Sequence, residues 1–177
     1  IIHCLEREVC SIIYDHRFFF KRVPKIVFSN GGAIPGWDLP RCDFVQEYTE
    51  HNLRYSARKK AFMIPHGVDL QKFNPHVQTD LRHKLQISDN ARVIISVGTI
   101  CYQHKRMDYV IEEVASLNDS NLYLLIVGQE CSDTPEIKAL GKRLMGDRIR
   151  FLTVLHDELP KYYAIANVFV LGSLFET

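Results

Sequence analysis

Val93, Ile94, Ile95 and Val97 form a short run rich in β-branched side chains. From Met107 onward the apolar positions recur instead at Val110, Ile111, Val114, Ala115 and Leu117. The first pattern predicts a strand covered on both faces, the second an amphipathic helix, so the period switches across the loop between them. The same alternation continues through this half of the chain. Strands are predicted over residues 93–97, 122–127, 148–152 and 168–171, and helices over 108–117, 135–145 and 158–166, with a short helix over 79–85 ahead of them. Asp157 is placed to cap the last helix at its amino end.

In the first part, Leu5, Val9, Ile12, Ile13, Phe19 and Phe20 keep helical spacing and predict a helix over 5–20, which Pro24 helps to end. Phe18, Phe19 and Phe20 read as core. Strands follow over 25–29, 42–46 and 61–64, with a polar helix over 50–60. Asn30-Gly31-Gly32 is a loop that permits positive backbone angles. Strand and helix in regular alternation imply an α/β fold with parallel strands and right-handed crossovers. Residues 69–78 hold Asn74-Pro75 and no sustained period, so the linker is placed there. The expected domains are 1–78 and 79–177, two αβ units whose facing layers would enclose a ligand cleft.

The loop after Val97 carries the first candidate chemistry. Gly98 lets a ligand approach the backbone, and Lys105 sets a cation beside a helix start, a combination suited to phosphate. Neither a dinucleotide fingerprint nor a P-loop is present. By themselves Gly98 and Lys105 fit a plain turn with a solvated lysine equally well.

Bulk properties narrow the field. The 177 residues are 46% hydrophobic and 24% charged, enough for a real core in a soluble-type chain. A net charge of +1 gives no global pull toward nucleic acid or acidic membranes, so an anion site must be local. Cys4, Cys10, Cys42, Cys101 and Cys131 are an odd number without a CxxC pair, which points to reduced thiols and a cytosolic compartment rather than a disulfide framework. The histidines show no metal-binding spacing, and no metal is expected. No apolar run approaches the roughly 20 residues of a membrane-spanning helix. The start at Ile1, read as the lead-in to a helix, and the stop at Thr177 just after a strand read as the ends of a piece cut from a longer protein.

Several short stretches also resemble one family, in its order. Ile64-Pro65-His66-Gly67-Val68-Asp69 with Phe73-Asn74-Pro75 is similar to the interdomain segment of GT-B glycosyltransferases of family 4. Val97-Gly98 with Lys105 and Asp108-Tyr109-Val110-Ile111 resembles their donor-phosphate loop, and Tyr123 to Gly128 their next strand and turn. Residues 147–152 and 162–170 follow in order, and Ser173-Leu174-Phe175-Glu176 resembles the opening of their E-x7-E motif. The likeness covers about two thirds of the chain, while residues 1–60 match only generically, as the latter part of an acceptor-side Rossmann-like domain.

The resemblance implies a GT-B fold with two Rossmann-like domains, both incomplete here. It implies transfer of a sugar, a hexose above all, from a UDP- or GDP-linked donor with retention of configuration and without a bound metal. Acceptors would be glycans or lipid-linked glycans, with no nucleic acid partner, in the cytoplasm or peripheral to the cytoplasmic membrane face. Carried over by position, Lys105 and Glu176 would be the catalytic groups. Lys105 would contact the donor diphosphate, and Glu176 the hydroxyls of the donor sugar. Gly98 would add close backbone approach and an N–H donor, and the donor site would include Thr99, Arg106 and Gly128. Residues 153–155 would lie near the base, with Val154 and Leu155 in the site. Asn30 and Gly31 are candidates to line the acceptor pocket.

Departures from the pattern bear on this. Thr99 stands where the family usually has arginine, and Arg106 where glycine is common, so Arg106 is a candidate replacement for the missing cation. Gly172 and Asn167 replace a usual proline and aspartate and read as structural, and His66 and His104 as structural or solvated. The chain stops before the second glutamate of the motif, so this piece alone is expected to be inactive. A solvated helix face accounts for Arg54, Arg58, Lys59 and Lys60, with a lipid-head or phosphate contact as the rival. Two other functions stay open: a non-catalytic nucleotide-binding or interaction module on the same fold, and a nucleotide-sugar epimerase.

Overall fold

The computed structural model describes residues 1–31, 34–56, 60–174 and 176. It divides into two units, Ile1–Gly67 with Glu176–Thr177 grouped to it, and Val68–Phe175.

In the first unit, β1 (Ile2–Cys4), β2 (Ile26–Ser29), β3 (Phe44–Glu47) and β4 (Ala61–Met63) pair in that order, all parallel. The strand β1 was not foreseen, because three residues are too few to display a period. Helix α1 (Arg7–His16) runs on into a single 3-10 turn at Arg17–Phe19, and α2 (Glu50–Tyr55) is capped by the Thr49 hydroxyl, which accepts from the Asn52 N–H at 3.1 Å. Of the basic helix face foreseen here, Arg58 and Lys59 lie outside the described residues, and Arg54 pairs with Glu50 across one turn. Cys4, Cys10, Ile26, Phe28, Leu39 and Val45 form the core, joined by Ile13 and Tyr14.

One expectation fails just past the end of α1. Leu5, Val9 and Ile12 face outward, and Phe18, Phe19 and Phe20 are exposed at 70%, 87% and 48% rather than core. Cys10, Ile13 and Tyr14 share helical spacing too, and that is the face turned to the sheet. Periodicity finds a stripe, but a helix with two apolar stripes does not announce which one is covered.

In the second unit the sheet order is β7-β6-β5-β8, again all parallel, with β5 at Arg92–Val97, β6 at Leu122–Val127, β7 at Ile149–Leu152 and β8 at Val168–Phe169. Helices α3 (Leu81–Lys84), α4 (Met107–Ser116), α5 (Thr134–Met145) and α6 (Leu159–Ile165) lie between the strands in sequence. Leu124 and Ile126 enter one core with Met107, Val110, Ile111, Val114 and Ile137, while Leu125 and Val127 enter another with Val93, Ile95 and Ile165. Alternate residues of β6 are thus buried on opposite faces, which explains its unbroken apolar sequence. Each such side chain contributes about 1.5–3 kcal/mol by burial.

The segment before α3 belongs to this unit. Asp69 turns it by accepting from the Gln71 N–H at 3.0 Å, and the Phe73 ring packs 5.7 Å from His156 and 6.2 Å from Tyr163. Asp157 does not cap α6. Its carboxylate pairs with Lys72, which holds it below the usual carboxylate range, and Glu158 occupies the capping position without a side-chain bond.

Candidate nucleotide-sugar site

The carboxyl ends of β5, β6 and β7 are laced together. Gly98 N–H donates to Val127 O, Gly128 N–H to Leu152 O and Ile100 N–H to Gln129 O, each at 2.9 Å. The Thr153 hydroxyl donates to Gly128 O at 2.8 Å. The Gly98 N–H, expected to serve a ligand, is therefore used inside the fold. A Cβ on Gly128 would lie 1.7 Å from the Gly98 carbonyl oxygen, so only glycine lets these turns meet.

This lacing frames a cavity of about 490 Å³. It is lined by Val97, Gly98 and Thr99 after β5, Val127, Gly128 and Gln129 after β6, Thr153 to Leu155 after β7, and Glu158 and Leu159 at α6. Five of the residues anticipated for a donor site, Gly98, Thr99, Gly128, Val154 and Leu155, thus meet in one place. Gln129 and Glu158 were not anticipated, since a polar residue one step past a strand looks like ordinary surface.

Lys105 lies beside this cavity. Its side chain folds across Gly98, and a Cβ on Gly98 would sit 3.0 Å from Lys105 Cδ and 3.1 Å from Cε. The loop carrying it is pinned to the loop after β6. Thr134 Oγ1 donates to Ile100 O at 3.0 Å and Tyr102 N–H to Asp133 at 3.1 Å, while the loop closes on itself through Met107 N–H to Cys101 O at 3.2 Å. On its other side the Leu174 N–H donates to His104 O at 3.1 Å. Because β5 pairs with β6 on one edge and β8 on the other, this loop emerges where strand order reverses, the usual ligand crevice of open parallel sheets.

Arg106 is turned to another task. It precedes α4 with φ 46° and ψ 49°, the left-handed conformation that makes glycine common at such a position. Its guanidinium grips Asp108 at 3.2–3.3 Å and lies 5.6 Å from the Tyr109 ring centroid, and Asp108 raises its pKa further. Like Lys105, it is not among the residues that line the cavity. Gly172 packs on the same corner, where a Cβ would meet Arg106 O at 3.0 Å.

Asn30, Gly31 and Glu176 group with the first unit. Glu176 is exposed. Asn30 is buried, and its Nδ2 donates to Ile34 O at 2.9 Å and Glu47 Oε2 at 3.0 Å, while its Oδ1 accepts from Ile34 N–H at 2.7 Å. Burial pushes the Glu47 carboxyl above the ordinary range against the pull of that amide. Gly31 lies under the Tyr48 ring without adopting a positive φ, and Gly32 lies outside the described residues. His66 stacks on Tyr48 with ring centroids 3.8 Å apart.

Residues 77–177 match the sequence model of the family described as Glycosyl transferases group 1. The chain belongs to this family. Within it, a D-inositol 3-phosphate glycosyltransferase of Geodermatophilus obscurus is 30% identical over 65% of this chain and 28% of that protein. An alpha-monoglucosyldiacylglycerol synthase of Streptococcus pneumoniae is 25% identical over 70% and 30% respectively. The chain therefore spans less than a third of the curated relatives it matches. Among solved structures, the Anabaena Alr3699/HepE protein in complex with UDP superposes with a TM-score of 0.78 at 14% identity, over 98% of this chain and 53% of that one. Two parallel four-stranded sheets, matched this way, place the fold in the GT-B class of α/β proteins.

Proposed function

We propose that the protein transfers a sugar, a hexose above all, from a nucleoside-diphosphate donor to a hydroxyl of a glycan or lipid-linked acceptor, retaining the anomeric configuration. The observation that carries this is Lys105 folded across Gly98 beside the cavity at the ends of β5, β6 and β7. As the bond from the anomeric carbon to the diphosphate oxygen breaks, negative charge collects on the leaving phosphate. A fixed ammonium stabilises that charge more than it stabilises the ground state, which is what accelerates a reaction. Val154 and Leu155 would carry the base, and Glu176 would bind donor-sugar hydroxyls. The donor is proposed to be UDP- or GDP-linked, and the titration below distinguishes the bases.

The acceptor side is proposed to work at a membrane surface on the cytoplasmic side. Supporting this, the exposed Phe18, Phe19 and Phe20 are bracketed by Arg17, Lys21 and Arg22. Aromatic side chains flanked by cations suit an anionic bilayer interface. No helix among the described residues is long and apolar enough to cross a membrane.

The deciding experiment is calorimetric titration of UDP, GDP and ADP into the full-length protein and its Lys105→Ala variant, followed by a transfer assay with the matching donor sugars. One diphosphate should bind, and the variant should bind it about tenfold to a hundredfold more weakly, as expected for a lost charge-assisted hydrogen bond. Binding without transfer to any acceptor or to water would leave a non-catalytic module. No binding by the folded protein would sink the assignment of Lys105.

A further inference from the structure

Thr134 opens α5, fully buried and outside the cavity lining. Its hydroxyl faces two ways. It donates to Ile100 O at 3.0 Å and accepts the Cys131 N–H at 2.8 Å, so one side chain ties the chain after β5 to the chain after β6. The Cys131 thiol donates to the same Ile100 oxygen at 3.1 Å, and the Asp133 carboxylate accepts the Tyr102 N–H at 3.1 Å. Residues 100–102 are thus gripped from one side by the segment 131–134.

The grip is firm because α5 is held along its length. Pro135 suits the first turn of the helix, and Ile137 is fully buried. Gly141 lies so near β7 that a Cβ there would come within 2.8 Å of Ile149 and 2.9 Å of Phe151. Asp133 precedes the helix without capping it, which leaves its carboxylate to the neighbouring loop.

What is gripped is the base of the loop that carries Lys105. The Met107 N–H donates to Cys101 O at 3.2 Å and closes residues 101–107 on themselves. Lys105 lies inside that closed loop and folds back across Gly98, two residues before Ile100. A shift at residues 100–102 therefore moves the ammonium relative to the cavity wall. The attraction of a cation for a phosphate falls with each added ångström, and a group fixed beforehand yields more of it than one ordered on binding.

We propose that Thr134, with Asp133, is a positioning residue for the donor diphosphate. Both act from outside the cavity by setting the place from which Lys105 meets the phosphates. This rests on the reading of Lys105 given above and adds to it the residues that hold the cation in register.

The test is a double-mutant cycle on the full-length protein, read by calorimetric titration of UDP, GDP and ADP. Thr134→Val keeps the outline of the side chain and loses the hydroxyl. It should weaken the diphosphate that the parent binds by about fivefold to twentyfold. Thr134→Ser keeps the hydroxyl and should stay within about twofold of the parent. In a Lys105→Ala background, Thr134→Val should cost less than about twofold, because the cation it places is gone. A general loosening of the fold would weaken both backgrounds alike. If Thr134→Val fails to fold, Asp133→Ala takes its place in the same cycle, since it removes a partly exposed carboxylate and no helix cap. Parental affinity in the variant, or a penalty that persists in full without Lys105, overturns the proposal and leaves the donor site standing. A parent that binds none of the three diphosphates removes the donor reading and this proposal together.

Discussion

Gly128 and Gly98 touch through their backbones, so closely that any side chain on Gly128 would overlap the Gly98 carbonyl. The contact draws the ends of β5 and β6 together beside the cavity at the strand ends. Gly128→Ala should therefore cost about 1–3 kcal/mol as the backbone shifts to make room. Urea midpoints measure it, and an unchanged midpoint would show that the turns separate freely.

Arg106 holds a left-handed backbone conformation that favours glycine. Arg106→Gly relieves that conformation but loses the partly exposed, solvent-screened pair with Asp108, so its net effect on stability should be small. Arg106→Val keeps the strain, worsens it by β-branching and loses the pair as well. Valine should be about 1–2 kcal/mol less stable than glycine here, measured by the same unfolding curves. Equal stabilities would mean that the loop adopts another conformation in solution.

Glu47 predicts a pH dependence of definite sign. Its folded pKa is raised above the ordinary 4.5 by burial. Between the unfolded and folded values the native state holds the extra proton, so stability falls as pH rises through that window. Glu47→Gln cannot ionise and keeps an amide in place of the carboxyl. Its stability relative to the parent should grow as pH is raised above about 4.5 and level off beyond the folded pKa. A difference that stays flat from pH 4 to 8 would show that Glu47 is not raised.

Phe19 is the most exposed aromatic in the run from Phe18 to Phe20. Full-length protein should sediment with vesicles of mixed neutral and anionic lipid, and Phe18→Ser with Phe19→Ser should reduce that fraction severalfold, because each buried aromatic carries about 1.5–3 kcal/mol. Raised salt should weaken binding too, through Arg17, Lys21 and Arg22. Vesicle binding that ignores both changes would place any membrane contact elsewhere.

Much of this protein was legible before folding. β6 at Leu122–Val127 coincides with its predicted span, and α4 and α5 differ by one residue at their ends, because buried strands and amphipathic helices write their periods directly into the chain. The order of short motifs from Ile64 onward likewise led to the family that residues 77–177 match. What the linear pattern left open was decided by neighbours distant in sequence. Which stripe of α1 is covered depended on the sheet beneath it, and that left Phe18 to Phe20 exposed. Arg106 was spent on Asp108, and the Gly98 N–H on Val127. Asn30 and Glu47 are 17 residues apart and met only because β2 and β3 pair in parallel and end side by side. Local periodicity reports which elements form, since it reflects each segment's own burial. The competition among charges, N–H groups and cavities for partners is settled by three-dimensional proximity, and no run of neighbouring residues encodes that.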